Sequence, residues 1–221
     1  MKREHITSQS YIDWLKSLGC LVYLPLSADG DLQDRISGLS LQLTGNGSLV
    51  WDNGQQRYKL ISPNANQRYV GIITNGLSKL NFPDNKITIL QRIKKITSST
   101  SKNLRAFGAN VTYDWDTFDV FNAGWNGTSK SSSWPSAECS IGTVLNGTSD
   151  RSGYGNGVQQ YNLAPYNNYL PSNWVLDGTG VIVGATSRSS AFTSIQLYIS
   201  ELYLFNTALD LTIIRKIQGY E

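Results

Sequence analysis

Ile195-Gln-Leu-Tyr-Ile-Ser-Glu-Leu-Tyr-Leu-Phe-Asn-Thr-Ala-Leu-Asp-Leu-Thr-Ile-Ile-Arg-Lys-Ile-Gln-Gly219 is the stretch on which the reading of the fold turns. Ile195, Leu197 and Ile199 alternate with Gln196, Tyr198 and Ser200, the period of a strand with one buried face, and the β-branched and aromatic content agrees. The phase slips at Glu201. An acid cannot lie unpartnered in a row of inward side chains, so either a bulge re-aims Leu202 and Leu204 or Glu201 is paired in the core. Asn206 ends the strand. Asp210 then caps a short helix whose Ile213, Ile214 and Ile217 form one apolar stripe, with Arg215 and Lys216 near its negative end and Gly219 as the stop.

Working outward, Leu21 to Leu26 is the second strong strand, and it is expected to lie beside Ile195 to Phe205, because neither can bury its apolar face alone. Ser8 to Leu18 reads as a short amphipathic helix stopped by Gly19, with Tyr11, Trp14, Leu15 and Leu18 near one face. Such a helix covers a sheet edge or attaches the chain to another one. Leu39 to Leu43, Leu49 to Trp51, Tyr58 to Ile61, Tyr69 to Ile73, Ile87 to Ile96, Leu104 to Phe107 and Phe118 to Phe121 are further strand candidates. Many short strands separated by turns mean an all-β antiparallel two-sheet sandwich, with short N-terminal and C-terminal helices, rather than a parallel α/β sheet. The 221 residues, of which only 16% are charged, suit one such domain at 20–221 behind a helical extension at 1–19.

Composition removes several function classes. A net charge of +3 with scattered Lys and Arg argues against nucleic acid as the partner. The one basic cluster, Gln91-Arg-Ile-Lys-Lys95, reads as a solvated strand face, because no aromatic residues are interleaved with it. No stretch is apolar enough for membrane insertion, and Lys2 to His5 begin no Sec signal peptide. With one histidine, His5, there is no material for a histidine-based zinc site or a Ser-His-Asp triad. Cys20 and Cys139 read as two free buried thiols. The sequons at Asn46, Asn110, Asn126 and Asn146 read as turn chemistry.

Two stretches carry candidate sites. Asp29-Gly-Asp31-Leu-Gln-Asp34 gathers three carboxylates whose oxygens either hold Ca2+ or hydrogen-bond the loop's own amides. No cofactor is otherwise required. Tyr113-Asp-Trp-Asp-Thr-Phe-Asp119 and Gly124-Trp-Asn-Gly127 set aromatic planes beside carboxylates and amides, which is what sugar recognition uses: CH faces pack on a ring while hydroxyls bond to Asp and Asn. The carbohydrate site expected there comprises Tyr113, Asp114, Trp115, Asp116, Trp125 and Asn126. The polar tract from Asn146 to Asn173, with Tyr154, Tyr161, Tyr166 and Tyr169, reads as a long loop that serves packing or binding. Trp14 and this Tyr-rich tract are the features from which an oligomer, or docking on a larger assembly, is expected.

Ile199-Ser-Glu201, Leu204-Phe-Asn206 and Ala208-Leu209, together with Leu21 to Leu26, Asp29-Gly30, Asp34 and Gly38, resemble the closing and opening motifs of laminin-G-like and concanavalin-A-like jelly rolls. Lys86 to Gln91, Val144 to Thr148 and Gly180 to Gly184 resemble inner strands and a hairpin of that superfamily. The tryptophan that precedes that hairpin in the family is missing here. The resemblance implies a jelly roll, and it allows calcium near the loops. Glycoside hydrolases of the superfamily carry their carboxylates in an E-x-D-x-x-E strand, which this chain lacks; Asp114, Asp116 and Asp119 are the nearest substitute, and Glu138 and Glu201 stand alone. The expected function is therefore a non-enzymatic glycan-binding, adhesion or structural domain. Without an export signal, a phage virion component (head decoration, fibre or tail-associated protein) is expected, located on the virion or outside the cell, with cell-surface glycan or virion subunits as partners. The alternative is a lectin-like domain of a bacterial surface or secreted protein.

Overall fold

A computed structural model describes residues 8–38, 40, 48–61, 72–73, 79–82, 84, 86–96, 107–109, 138–146, 150–163, 174–177, 181–183 and 196–220. Helix α1 (Gln9–Ser17) precedes β1 (Cys20–Leu24), β2 (Ser48–Asp52), β3 (Arg57–Ile61), β4 (Ile72–Ile73), β5 (Lys79–Phe82), β6 (Lys86–Lys95), β7 (Phe107–Ala109) and β8 (Cys139–Asn146). There follow β9 (Asp150–Gly155), β10 (Val158–Leu163), β11 (Trp174–Asp177), β12 (Val181–Val183), β13 (Gln196–Phe205) and helix α2 (Leu211–Gln218). Among the described residues the protein is all-β with two short helices. Among the described residues, eight strands form one antiparallel sheet in the order β10-β9-β8-β6-β13-β3-β2, with β1 also on β13, while β11-β5 and β4-β12-β7 form two small sheets.

β13 is the hub. Along one edge it pairs with β6 over nearly its whole length. Along the other, β3 takes Gln196 to Ile199 and β1 takes Leu202 to Phe205. The pairing of β1 with β13 is the one expected from their one-sided apolar patterns. The register with β6 slips between Ile199 and Glu201, close to where β3 ends and β1 takes over on the other edge. Glu201 is also buried and ion-paired, so both readings of the phase slip hold together.

Beyond the slip, strand alternation sorts the side chains of β13 onto two faces. Glu201, Tyr203 and Phe205 share a face with Tyr23, whose ring stacks on Tyr203 with centroids 4.6 Å apart. Both helices lie on that face: Leu15 of α1 and Ile214 and Ile217 of α2 join one core with Tyr203, Phe205, Leu90, Val144 and Tyr154. Helix α1 buries Ile12 and Leu15, three residues apart, while Tyr11, Trp14 and Leu18 flank the contact. Ser8 and Asp210 cap the helices, accepting from the Tyr11 and Ile213 amides, and Gly219 closes α2 in the left-handed conformation. The turn into β1 is stitched to the end of β13, where Asn206 donates to the Gly19 carbonyl (3.0 Å) and Thr207 to that of Leu18 (2.7 Å). Val22, Leu24, Leu202 and Leu204 point to the opposite face and are no more than 1% exposed, so the sheet is covered on both sides.

One expectation is corrected. The tract from Asn146 to Asn173 is not one loop: it contains β9 and β10, joined at Asn156 and Gly157, whose φ values of 49° and 72° are those of a two-residue hairpin turn. Of the residues from which assembly is expected, Tyr154 is buried and Trp14 is half-buried. Tyr154 is 7% exposed in the chain's own core, and Trp14 packs against that core with the Lys216 ammonium 5.4 Å from its ring centroid. The expected strand over Phe118 to Phe121 and most of that over Leu39 to Leu43 lie outside the described residues. Cys20 is a free, buried thiol that donates to the Val22 carbonyl (3.2 Å), and burial pushes its titration far up. The side chain of Cys139 is outside the described set.

Candidate functional site

Tyr113, Asp114, Trp115, Asp116, Trp125 and Asn126 lie outside the described residues. The acidic loop after β1 is described, and two of its three carboxylates, Asp31 and Asp34, are occupied. Asp34, 1% exposed, accepts from the amides of Tyr23 (2.8 Å), Ile36 (3.0 Å) and Ser37 (3.2 Å) and from the Ser37 hydroxyl. Asp31 accepts from the amide (3.2 Å) and hydroxyl (2.8 Å) of Ser27 and pairs with Arg35. Asp29 is exposed. Among the described residues no group of three His, Cys, Asp or Glu is arranged to hold a metal ion. The geometry is that of a carboxylate ordering its own loop, which ties the chain leaving β1 back onto that strand.

A charged chain crosses the helix-bearing face beside α2. Arg92 of β6 pairs with Glu201 (3.6 Å) and Glu138 (3.6 Å) and donates to the Gln218 carbonyl at the end of α2 (3.1 Å). Glu138 also pairs with Arg57 of β3 (2.7 Å). Arg92 and Lys94 do share a face, as their spacing predicts, but Arg92 is spent on this chain and only Lys94 points away from it.

Beyond that chain the face carries half-buried Lys59, Tyr198 and Lys94. The pairings of β2 with β3, β3 with β13 and β13 with β6 set Val50, Lys59, Tyr198 and Lys94 opposite one another in a single row across four strands. Val50 is 51% exposed. Tyr198 donates its hydroxyl to Asp52 (2.6 Å), whose other oxygen accepts from the amides of Gly54 (2.9 Å) and Gln55 (3.0 Å) in the turn between β2 and β3. The Lys94 ammonium stands 6.0 Å from the Tyr198 ring centroid. The row depends on register between strands far apart in sequence, so no local pattern could announce it.

The Asp52 contact is readable in solution. The Tyr198 hydrogen bond first, then the Gln55 amide, holds the Asp52 carboxyl below its ordinary value, and the same bond raises the Tyr198 phenol. A carboxyl lowered in the folded state favours folding above its unfolded value, and that contribution is lost as pH falls through the folded one. In Asp52→Asn the Tyr198 phenol is expected to titrate at lower pH than in the wild type, followed by its ring carbon shifts in NMR. An unchanged phenol would show that the contact is not maintained in solution.

With this geometry in place, comparison with known proteins adds the fold. No family model matches the chain, and no curated protein matches its sequence. Solved structures do match in shape. Domain 4 of AbnA, a GH43 extracellular arabinanase from Geobacillus stearothermophilus in complex with arabinotriose, is similar at a TM-score of 0.61 and 15% identity, over 90% of this chain and 98% of that one. Botulinum neurotoxin type C, whose cell entry depends on interaction with two ganglioside molecules, is similar at a TM-score of 0.57 and 13% identity, over 96% of this chain and 52% of that one. A Trypanosoma rangeli sialidase mutant displaying trans-sialidase activity gives a TM-score of 0.54 at 12% identity, over 90% of this chain and 32% of that one. The chain thus spans about half the length of the neurotoxin structures and nearly all of the arabinanase domain. At these identities the likeness is one of fold.

Proposed function

We propose that this chain is a non-catalytic glycan-binding domain built as a two-sheet jelly-roll sandwich. The observation that carries the reading is the likeness to the arabinanase domain, matched over 98% of its own length and solved with a bound oligosaccharide. The sandwich is favoured because Val22, Leu24, Leu202 and Leu204, on the face without helices, are buried to 1% or less and so need a second layer. The small sheets β4-β12-β7 and β5-β11 are the strands available for it.

Absence of catalysis is favoured by what the described carboxylates do. A glycosidase presents two of them to one bond, about 5 to 9 Å apart. Here Glu201 and Glu138 are paired with arginines, Asp31 with Arg35, Asp34 with amides and Asp52 with Tyr198. Incubation with β-glucans is expected to release no sugar.

Trp115 and Trp125 are the proposed stacking rings, with Tyr113, Asp114, Asp116 and Asn126 supplying polar contacts. Trp115→Ala is expected to weaken glycan binding by ~1 kcal/mol or more, measured on a glycan array and then by titration. Unchanged binding would remove this site. The setting proposed is a phage virion, as a head decoration, fibre or tail-associated protein, and mass spectrometry of purified particles tests it. Its absence from particles would favour the bacterial surface lectin.

A further inference from the structure

We propose that the row Val50, Lys59, Tyr198 and Lys94, none of them among residues 113 to 126, is a binding subsite for a carboxylate-bearing sugar, resting on the glycan-binding reading above. Register sets Lys59, Tyr198 and Lys94 side by side on three neighbouring strands. Strands lie about 4.8 Å apart, so the backbones that carry the two lysines are two spacings, roughly 9.6 Å, apart, with the Tyr198 strand between them. The Tyr198 ring is positioned by the hydroxyl it donates to Asp52, and Val50 extends the apolar floor beside Lys59. A sugar's CH face can pack on such a floor while its carboxylate meets the lysines.

Charge selects the ligand. The two arginines on this face are spent: Arg57 on Glu138, and Arg92 on Glu138 and Glu201. Lys59 and Lys94 have no ion pair with a carboxylate among the described residues. Asp52 is a counter-charge to Lys59, and its oxygens already accept from Tyr198 and the two turn amides. The helices pack on the other end of the face; in this row Val50 is exposed and Lys59, Tyr198 and Lys94 are half-buried. The aromatic partner that the basic cluster lacks in sequence is thus supplied by β13. One ring and two ammoniums fit a single acidic sugar better than a nucleic-acid strand, which calls for successive stacking rings and a continuous basic groove.

The test titrates the whole chain by NMR with sialyllactose and trigalacturonate, against lactose as the neutral probe and a thymidine oligonucleotide as the phosphate probe. The acidic sugars are expected to shift the Tyr198 ring signals, and to bind more weakly as salt is raised. Lys59→Ala and Lys94→Ala, surface changes that leave the core intact, are each expected to weaken acidic-sugar binding about tenfold, the worth of one hydrogen bond to a charged group. Neutral-glycan binding should stay unchanged in both variants. Acidic-sugar binding unaltered by the double substitution, or an oligonucleotide bound more tightly than either acidic sugar at this row, would overturn the subsite. Binding of neutral glycans with neither acidic probe would overturn the subsite and leave the glycan-binding reading standing, whereas a chain that binds no glycan would remove both.

Discussion

Arg92→Ala is expected to cost about 3 kcal/mol of folding stability, the scale on which removing one member of a largely buried ion pair acts. Glu201 is 8% exposed, so the change removes a charged partner from a carboxylate held in the core beside Tyr203 and Phe205. The same change leaves Glu138 to Arg57 alone and withdraws a donor from the Gln218 carbonyl at the end of α2. Urea unfolding checks it, with Glu201→Gln and the double variant completing a cycle. If the pair accounts for the loss, the double variant is less destabilised than the two single changes summed. A cost under about 0.5 kcal/mol, the level of a surface substitution, would show that Glu201 finds water or another partner.

Phe205→Ala is expected to cost about 3 to 5 kcal/mol, since it removes a fully buried ring and leaves a cavity that its neighbours fill only in part. Phe205 sits where β1, β13 and the helices meet: it is opposite Cys20 and Thr88, and its ring is 6.3 Å from that of Tyr203. For a domain of this length the loss corresponds to a fall in Tm of roughly 10 °C. Calorimetry measures it. A fall of about 2 °C or less, the scale of a 1 kcal/mol change, would place the centre of the core elsewhere than the end of β13.

What is legible in the sequence is local. The alternation before Glu201, the slip itself, and the Asp210 and Gly219 ends of α2 are each set by residues within a few positions of one another, and the structure places them accordingly. The pairing of β1 with β13 follows from two apolar faces with nothing else to cover them. The hairpin of β9 and β10 has its signal in Asn156-Gly157. It is obscured because Asp150 to Gly155 is polar, carries Gly153 and Gly155, and shows no alternation of apolar residues. In α1 the stripe expected from spacing is one position off, because Ile12 and Leu15 face the sheet while the larger Tyr11 and Trp14 lie against its side.

The sites divide in the same way. The acidic loop can be read as metal ligands or as self-bonding carboxylates, since both need oxygens at short spacing; the structure has Asp34 on the amides of its own loop. The Lys59, Tyr198 and Lys94 row has no sequence signature at all. It exists only through two strand registers, and a slip of one residue in either would turn one of its members to the opposite face.

Saturation-transfer NMR on the folded chain, with a pool of neutral and acidic oligosaccharides, tests the glycan-binding claim most directly. The account predicts transfer of saturation from protein aromatic protons to sugar CH protons, with every oligosaccharide recovered intact after incubation. A folded chain that transfers saturation to no sugar, or one that shortens the oligosaccharides, would contradict it.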